Sequence, residues 1–316
     1  MSRATFAVLA ASLAFAAATP VRAWPDKPVE LVVGFAAGGG TDITARTLAI
    51  HLSRELGGQV VVANKPGASG AIGLAYVARA KPDGHVIGMT NMPGLVTLPI
   101  ERDAGYKAGD FVYLGNLVRD PSAVSVTLDS PHKSLADLLA AARKAPGTVS
   151  FGSTGVGTDD HLQMAMLEGL TGVKFLHAPF QGAAPLRTAM MGGHVVVAGL
   201  NLGEAMPHAG KTLRVLATAS ENRSGLGPEV PTFREQGVNL VIASERGIVA
   251  PRGIPAEVEQ RIAAALKAIA ANTEFQAQVK AQFTDLDYLP GAEWKKRLDA
   301  AEATYRQLWA RKPWNE

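Results

Sequence analysis

Val29-Glu30-Leu31-Val32-Val33-Gly34-Phe35-Ala36-Ala37-Gly38-Gly39-Gly40-Thr41-Asp42 decides how the rest of the chain is read. The stretch opens as a Val-rich apolar run, the mark of a buried strand. Side chains then almost disappear. Thr41 and Asp42 are good N-cap residues, and Ala45, Leu48, Ala49, Leu52 and Leu56 recur behind them at helical spacing. A strand, a bare loop and a helix start, in that order, gather unpaired N–H groups and the positive end of a helix dipole at one point. Three consecutive glycines let a ligand approach the backbone. The stretch reads as an anion site, or else as a flexible turn with no ligand.

Phosphate motifs fail here residue by residue. A P-loop ends in Gly-Lys-Ser/Thr, whereas this loop ends in Gly40-Thr41-Asp42. A dinucleotide fingerprint needs a glycine where Ile43 stands. Asp42 would repel a phosphate unless turned away as a cap, so a carboxylate fits better.

The same grammar continues outward. Val60-Val61-Val62-Ala63 is a short strand, followed by the loop Asn64-Lys65-Pro66-Gly67-Ala68-Ser69-Gly70 and a helix marked by Ile72, Tyr76, Val77 and Ala80. Val86 to Thr90 is a strand ending at Asn91. Alternating strands and helices predict a parallel sheet, with ligands beyond the carboxyl ends of its strands. Residues 92–111 read as irregular. Val112–Val118 and Ala123–Thr127 read as two strands, and Ser134 with Asp137 as a helix cap. Val149-Ser150-Phe151 then repeats the opening design. Its loop, Gly152-Ser153-Thr154-Gly155-Val156-Gly157-Thr158-Asp159, leads into a helix with Leu162, Ala165, Met166 and Leu170. Hydroxyls of Ser153, Thr154 and Thr158 can donate to a carboxylate or cap the helix. Phe175–Phe180, Val195–Leu200 and Leu213–Thr218 are further strands. Leu240–Ala243 and Ile248–Ala250 flank Ser244-Glu245-Arg246-Gly247, and the tail is helical, with apolar stripes that read as core faces. Two such layouts joined near 120 and 245 predict two lobes with a cleft between: 24–120 with 245–316, and 121–244.

Composition narrows the function. Hydrophobic residues make up 47% and charged residues 19%, as in a globular protein. With no cysteine, disulfides, thiol catalysis and Cys-ligated metal are excluded. No Lys/Arg cluster interleaves with aromatics, so no nucleic-acid partner is expected. Residues 1–23 read as a secretory signal peptide: Arg3, the apolar run Ala4 to Ala18, and small residues at Val21-Arg22-Ala23. Cleavage after Ala23 would start the mature chain at Trp24, and loss of Arg3 and Arg22 would lower the formal charge from +3 to +1. An exported, periplasmic protein is expected, and a monomer.

Taken together, these segments resemble the periplasmic substrate-binding proteins of tripartite tricarboxylate transporters, also called Bug receptors. Phe35 to Asp42 resembles the family's first loop, and Asn64 to Gly73 its Asn-Arg-Pro-Gly-Ala segment. Pro82-Asp83-Gly84 matches the following turn. Ser153 to Thr158 with His161-Leu162 resembles the loop of the second lobe. His177-Ala178-Pro179-Phe180-Gln181-Gly182, Pro228 to Thr232 and Ala250-Pro251 follow in the family's order. The resemblance implies an α/β, type II periplasmic-binding-protein fold, each lobe a mixed sheet flanked by helices. It implies closure over a small organic carboxylate delivered to membrane transporter subunits, with no cofactor. Carried over, it names Phe35, Ala36, Ala37, Gly38, Asp42, Ala68, Asn91, Thr154, Gly155, Thr158, Phe180 and Asn201 as ligand-binding.

Two departures from the family matter. Many members carry an Asp, suited to an ammonium, just before the equivalent of Asn201; here Leu200 stands there, so carboxylates without an amino group are expected. Many carry an aromatic pair near Glu245-Arg246. Arg246 is therefore a further candidate, as a bidentate partner for a carboxylate; its alternative is an exposed salt bridge with Glu245 or elsewhere. An enzyme is not expected. No Gly-x-Ser-x-Gly elbow occurs, no two of the seven His have zinc-site spacing, and His161 reads as a loop support before a catalytic group. A receptor that presents its ligand to a sensor kinase is the alternative to transport.

Overall fold

The computed structural model describes residues 24–311 and 313–314. Residues 1–23, where a signal peptide is expected, lie outside the described residues. The chain runs β1 (Val29–Val33), α1 (Gly40–Leu56), β2 (Val60–Asn64), α2 (Ala71–Arg79), β3 (Val86–Met89), α3 (Gly94–Glu101) and the long β4 (Phe111–Thr127). Then follow α4 (Leu135–Lys144), β5 (Ser150–Ser153), α5 (Asp159–Thr171), β6 (Leu176–Pro179), α6 (Ala183–Met191), β7 (Val197–Asn201), α7 (Leu202–Ala205) and β8 (Leu213–Thr218). The chain closes with β9 (Ala243–Pro251), α8 (Ala256–Ala271), α9 (Thr273–Ala281), β10 (Asp285–Pro290) and α10 (Gly291–Arg311).

The strands order as β2-β1-β3-β9-β4-β7-β5-β6, with β8 and β10 also on β4. β1 is parallel to β2 and β3, and β5 is parallel to β6 and β7. β9 and β4 join these parallel groups by antiparallel pairing. The pivot is β4. Phe111 to Pro121 pairs with β9, and Ser122 to Ser125 pairs with β7. Each parallel group is covered on both faces, because its apolar runs point both ways. Val29, Leu31 and Val33 pack with Leu48, Leu52 and Ile262, while Val32 faces Leu95 and Trp294. On the other side of the pivot, Phe151 and Val197 pack with Leu138 and Leu162, while Ala198 and Leu200 pack with Leu186 and Leu213.

Several local expectations change. α1 begins at Gly40 behind Gly39, so Thr41 and Asp42 lie inside the helix and are not its N-cap. Residues 92–111 hold a helix, α3, despite Pro99. The carbonyl of Leu95, which Pro99 cannot serve, accepts from the Tyr106 hydroxyl at 3.1 Å. β4 is one strand through Pro121, not two, since the missing N–H falls where the strand changes partners. Ser244 to Arg246 lies within β9 and is not a loop. In the tail, Trp294 and Leu298 are buried, but Leu308 is exposed, and Trp309 and Trp314 join the core around Phe151.

Candidate functional site

The carboxyl ends of β1, β3, β5 and β7 converge, as the parallel order requires. The loop after β1 packs on the start of α6: Ala36 N–H donates to the Gln181 carbonyl at 3.3 Å. The loop after β5 meets the opposite side twice. Thr97 Oγ1 donates to the Gly157 carbonyl at 2.6 Å. Gly155, at φ +145°, lies so close to Ser69 that an added Cβ would fall 2.5 Å from its Oγ. The cleft is shut, and Gly155 must be glycine for both its φ and its neighbour.

Asp42 takes its place at the third position of α1. It accepts from Gly38 N–H at 2.9 Å, from Arg46 and from Asn64. Burial pushes its pKa up, but these donors outweigh it and hold the carboxyl below its usual range. Phe35 is buried, and its carbonyl accepts from Asn64. Ala37 follows in the same loop. Asn91 accepts from Ser244 Oγ at 2.7 Å and donates to Thr41 Oγ1 at 3.3 Å. Ala68 is exposed, and its carbonyl accepts from Arg102.

On the β5 side the three hydroxyls are already used within the chain. Thr154 Oγ1 donates to Asp160 at 2.5 Å, and Thr158 Oγ1 to the Gly155 carbonyl at 2.7 Å. Ser153 Oγ lies 2.7 Å from His177 Nε2. Thr158 is the N-cap of α5, yet its side chain makes no cap bond; it braces the loop instead. His161 Nδ1 accepts from Gly157 N–H at 3.0 Å, the loop-supporting role read from sequence, and stacks on His177. Burial lowers both imidazoles, to about 3 and about 4, so both are neutral at pH 7. Ser153 is fully buried, which denies it a substrate. Phe180 is half-buried beside Gly152.

Deeper in, Asn201 and Arg246 meet. Asn201 Nδ2 donates to Asp159 at 2.6 Å, and its Oδ1 accepts from Arg246 Nη2 at 3.2 Å. Arg246 is 1% exposed and pairs with Asp120 at 3.0 Å. The alternative reading of Arg246, an exposed salt bridge, is not what forms: its salt bridge to Asp120 is buried, and Glu245 binds Arg297 and Trp294. Asp120, Asp159, Asp160 and Glu204 were missed from sequence as parts of this network. Asn201-Leu202-Gly203-Glu204 did carry a signal, the spacing of a capping box, and the box forms. Burial pushes Asp120 up to about 7 against the pull of Arg246, and pushes Asp159 and Asp160 upward as well. Leu200, the basis for expecting no ammonium, is fully buried within an apolar cluster.

Comparison with known proteins agrees with this geometry. Residues 44–293 match the family model described as "Tripartite tricarboxylate transporter family receptor". A Cupriavidus necator protein named "UPF0065 protein in gbd 5'region" is 37% identical over 273 residues, 84% of this chain and 83% of the relative. The solved structure "periplasmic binding protein BugD" superposes with a TM-score of 0.86 at 29% identity, covering 91% of this chain and 98% of that one. R. palustris Rpa4515, solved with adipate, gives a TM-score of 0.86 at 29% identity and covers 91% and 97%. The α/β fold is thus the two-lobed one of periplasmic binding proteins, and the chain belongs to the tripartite tricarboxylate transporter receptors, the Bug-type periplasmic solute-binding proteins.

Proposed function

We propose that this chain closes two lobes, 24–120 with 245–316 and 121–244, over a small organic carboxylate and delivers it to a tripartite tricarboxylate-type membrane transporter. It acts in the periplasm as a monomer, after cleavage behind Ala23, and catalyses nothing. The observation that carries this reading is the shut cleft: the β1 loop meets the start of α6, and the β5 loop meets Thr97 and Ser69, with the starts of α1 and α5 behind the two loops. Such helix starts offer N–H groups to an anion without the positive charge that a phosphate site needs. Phe35, Ala36, Ala37, Gly38, Asn91, Gly155 and Phe180 supply the contacts, with Asp42, Ala68, Thr154, Thr158, Asn201 and Arg246 holding the loops in shape. The adipate-bound neighbour supports the ligand class.

A thermal-shift screen of carboxylates tests the reading. A ligand at 100 times its dissociation constant adds about 2.7 kcal/mol of stability. A flat response to all carboxylates, beside a clear shift with sugars or free phosphate, would refute it. Protein recovered from the periplasm should begin at Trp24.

A further inference from the structure

Glu204 occupies the place of a bound anion. Across the cleft, Gly40 N–H at the start of α1 donates to its Oε1 at 3.0 Å. The same oxygen stands 3.7 Å from Arg246 Nη2, and Oε2 accepts from Asn201 N–H at 3.0 Å. A helix N-terminus and a guanidinium are the donors a carboxylate ligand seeks. Here a carboxylate of the chain has both. Gly40 is kept bare for it: an added Cβ would fall 2.6 Å from Oε1.

The surroundings are hostile to a second anion. Asp120, Asp159 and Asp160 share this buried network, in which Arg246 is already paired with Asp120 at 3.0 Å. Among the described residues Asp159 Oδ1 and Asp160 Oδ1 have no hydrogen-bond partner, and both residues are at most 1% exposed. Both amide atoms of Gln163, one turn further along α5, are also unpartnered and buried. Unpartnered carboxyl oxygens in a dry interior call for hydrogen-bonding groups, which a second carboxylate does not bring.

We infer that Glu204 is a specificity-determining residue that stands in for a second ligand carboxylate. The receptor then selects organic acids with one carboxylate and a hydrogen-bond donor at the far end over dicarboxylates. This inference rests on the carboxylate-receptor reading above, and it separates the chain from its adipate-bound neighbour. A cavity of about 180 Å³ borders Gly40, Glu204 and Arg246, with Arg187 and His208 also in its lining. It offers room for a second carboxylate once Glu204 is neutral.

Calorimetry on the full chain with matched pairs tests this: 6-hydroxyhexanoate against adipate, and 4-hydroxybutanoate against succinate. The hydroxy acid should bind at least tenfold tighter than its dicarboxylate partner. Glu204→Gln should raise the ratio of dicarboxylate to monocarboxylate affinity at least tenfold, with Glu204→Ser as the second variant and a circular dichroism melt confirming each fold. Equal or tighter binding of adipate or succinate by the wild type overturns the inference, as does a ratio that moves in neither variant. Where no member of either pair binds, the pairs are redrawn from the acids that shift the melt in the carboxylate screen; a flat screen removes the carboxylate reading itself, so the two failures are told apart.

Discussion

Two arginine–aspartate pairs flank the cleft at nearly the same distance, and they behave in opposite ways. Arg46 meets Asp42 at 2.9 Å with its side chain 53% exposed. Arg246 meets Asp120 at 3.0 Å with both side chains buried to within 1%. Asp42 is held below the usual carboxylate range, while Asp120 is raised to about 7. Geometry is matched, so solvent and neighbours make the difference. Asp42 gains donors from Gly38 and Asn64, whereas Asp120 loses its hydration and has Glu204 beside it. A close ion pair therefore says little about whether its acid is comfortable.

The sharpest break of this comparison is truncation of each arginine in turn. Arg246→Ala strands Asp120 and Glu204 without their cation and should cost about 3–5 kcal/mol. Arg46→Ala, mostly in water, should cost about 0–1 kcal/mol. Urea denaturation of both variants gives the two numbers, and similar losses would end the distinction.

Next in size is the pH response. Asp120 is raised, so the native state holds its proton where the unfolded chain has released it. Its stabilising contribution is complete below the ordinary carboxylate range and is lost as pH rises towards 7. Asp120 alone contributes a fall of about 2 kcal/mol between pH 5 and pH 7, read as the difference between the wild type and Asp120→Asn, because His161 and His177 titrate with the opposite sign over the same range. Asp42 is lowered, so its contribution is lost only as pH falls below the ordinary range. Difference melting curves against the wild type should show Asp120→Asn changing the neutral limb and Asp42→Asn the acid limb; the reverse assignment would break the comparison.

Gly155→Ala probes the same contrast in the backbone. A side chain at φ +145° against Ser69 costs on the order of 1–3 kcal/mol. Because Ser69 lies across the cleft, ligand affinity should fall with stability, as calorimetry would register. Unchanged affinity would mean that this contact is not part of closure. A smaller effect than that of Gly155→Ala is expected for Thr158→Val. Its hydroxyl braces Gly155 and does not cap α5, so about 0.5–1.5 kcal/mol of stability should go. Helix content by circular dichroism should hold.

What could be read locally was read well. The apolar stripe of α1 from Ala45 to Leu56 is buried, and Ser134 and Asp137 form a reciprocal cap. Beyond the cap of α1 and the helix α3, errors came where a residue's role depended on a distant strand. Pro121 looked like a break between two strands, yet β4 passes through it because its partner changes there. Asn201 was named from the family's pattern, but Asp120, which pairs with Arg246 beneath it, carries no motif of its own.

By itself, the sequence determined the alternation of strands and helices, the bare loops at their junctions and the absence of thiol chemistry. Those follow from periodicity, backbone freedom and composition, all of which act within a few residues. Only the tertiary structure decided which charges lie together. Arg246 stood out in the sequence as a partner for a ligand carboxylate, but only the pairing of β9 with β4 set it against Asp120 out of water. Burial and the nearest partner set the energy of a charge, and both are made by segments far apart in the chain.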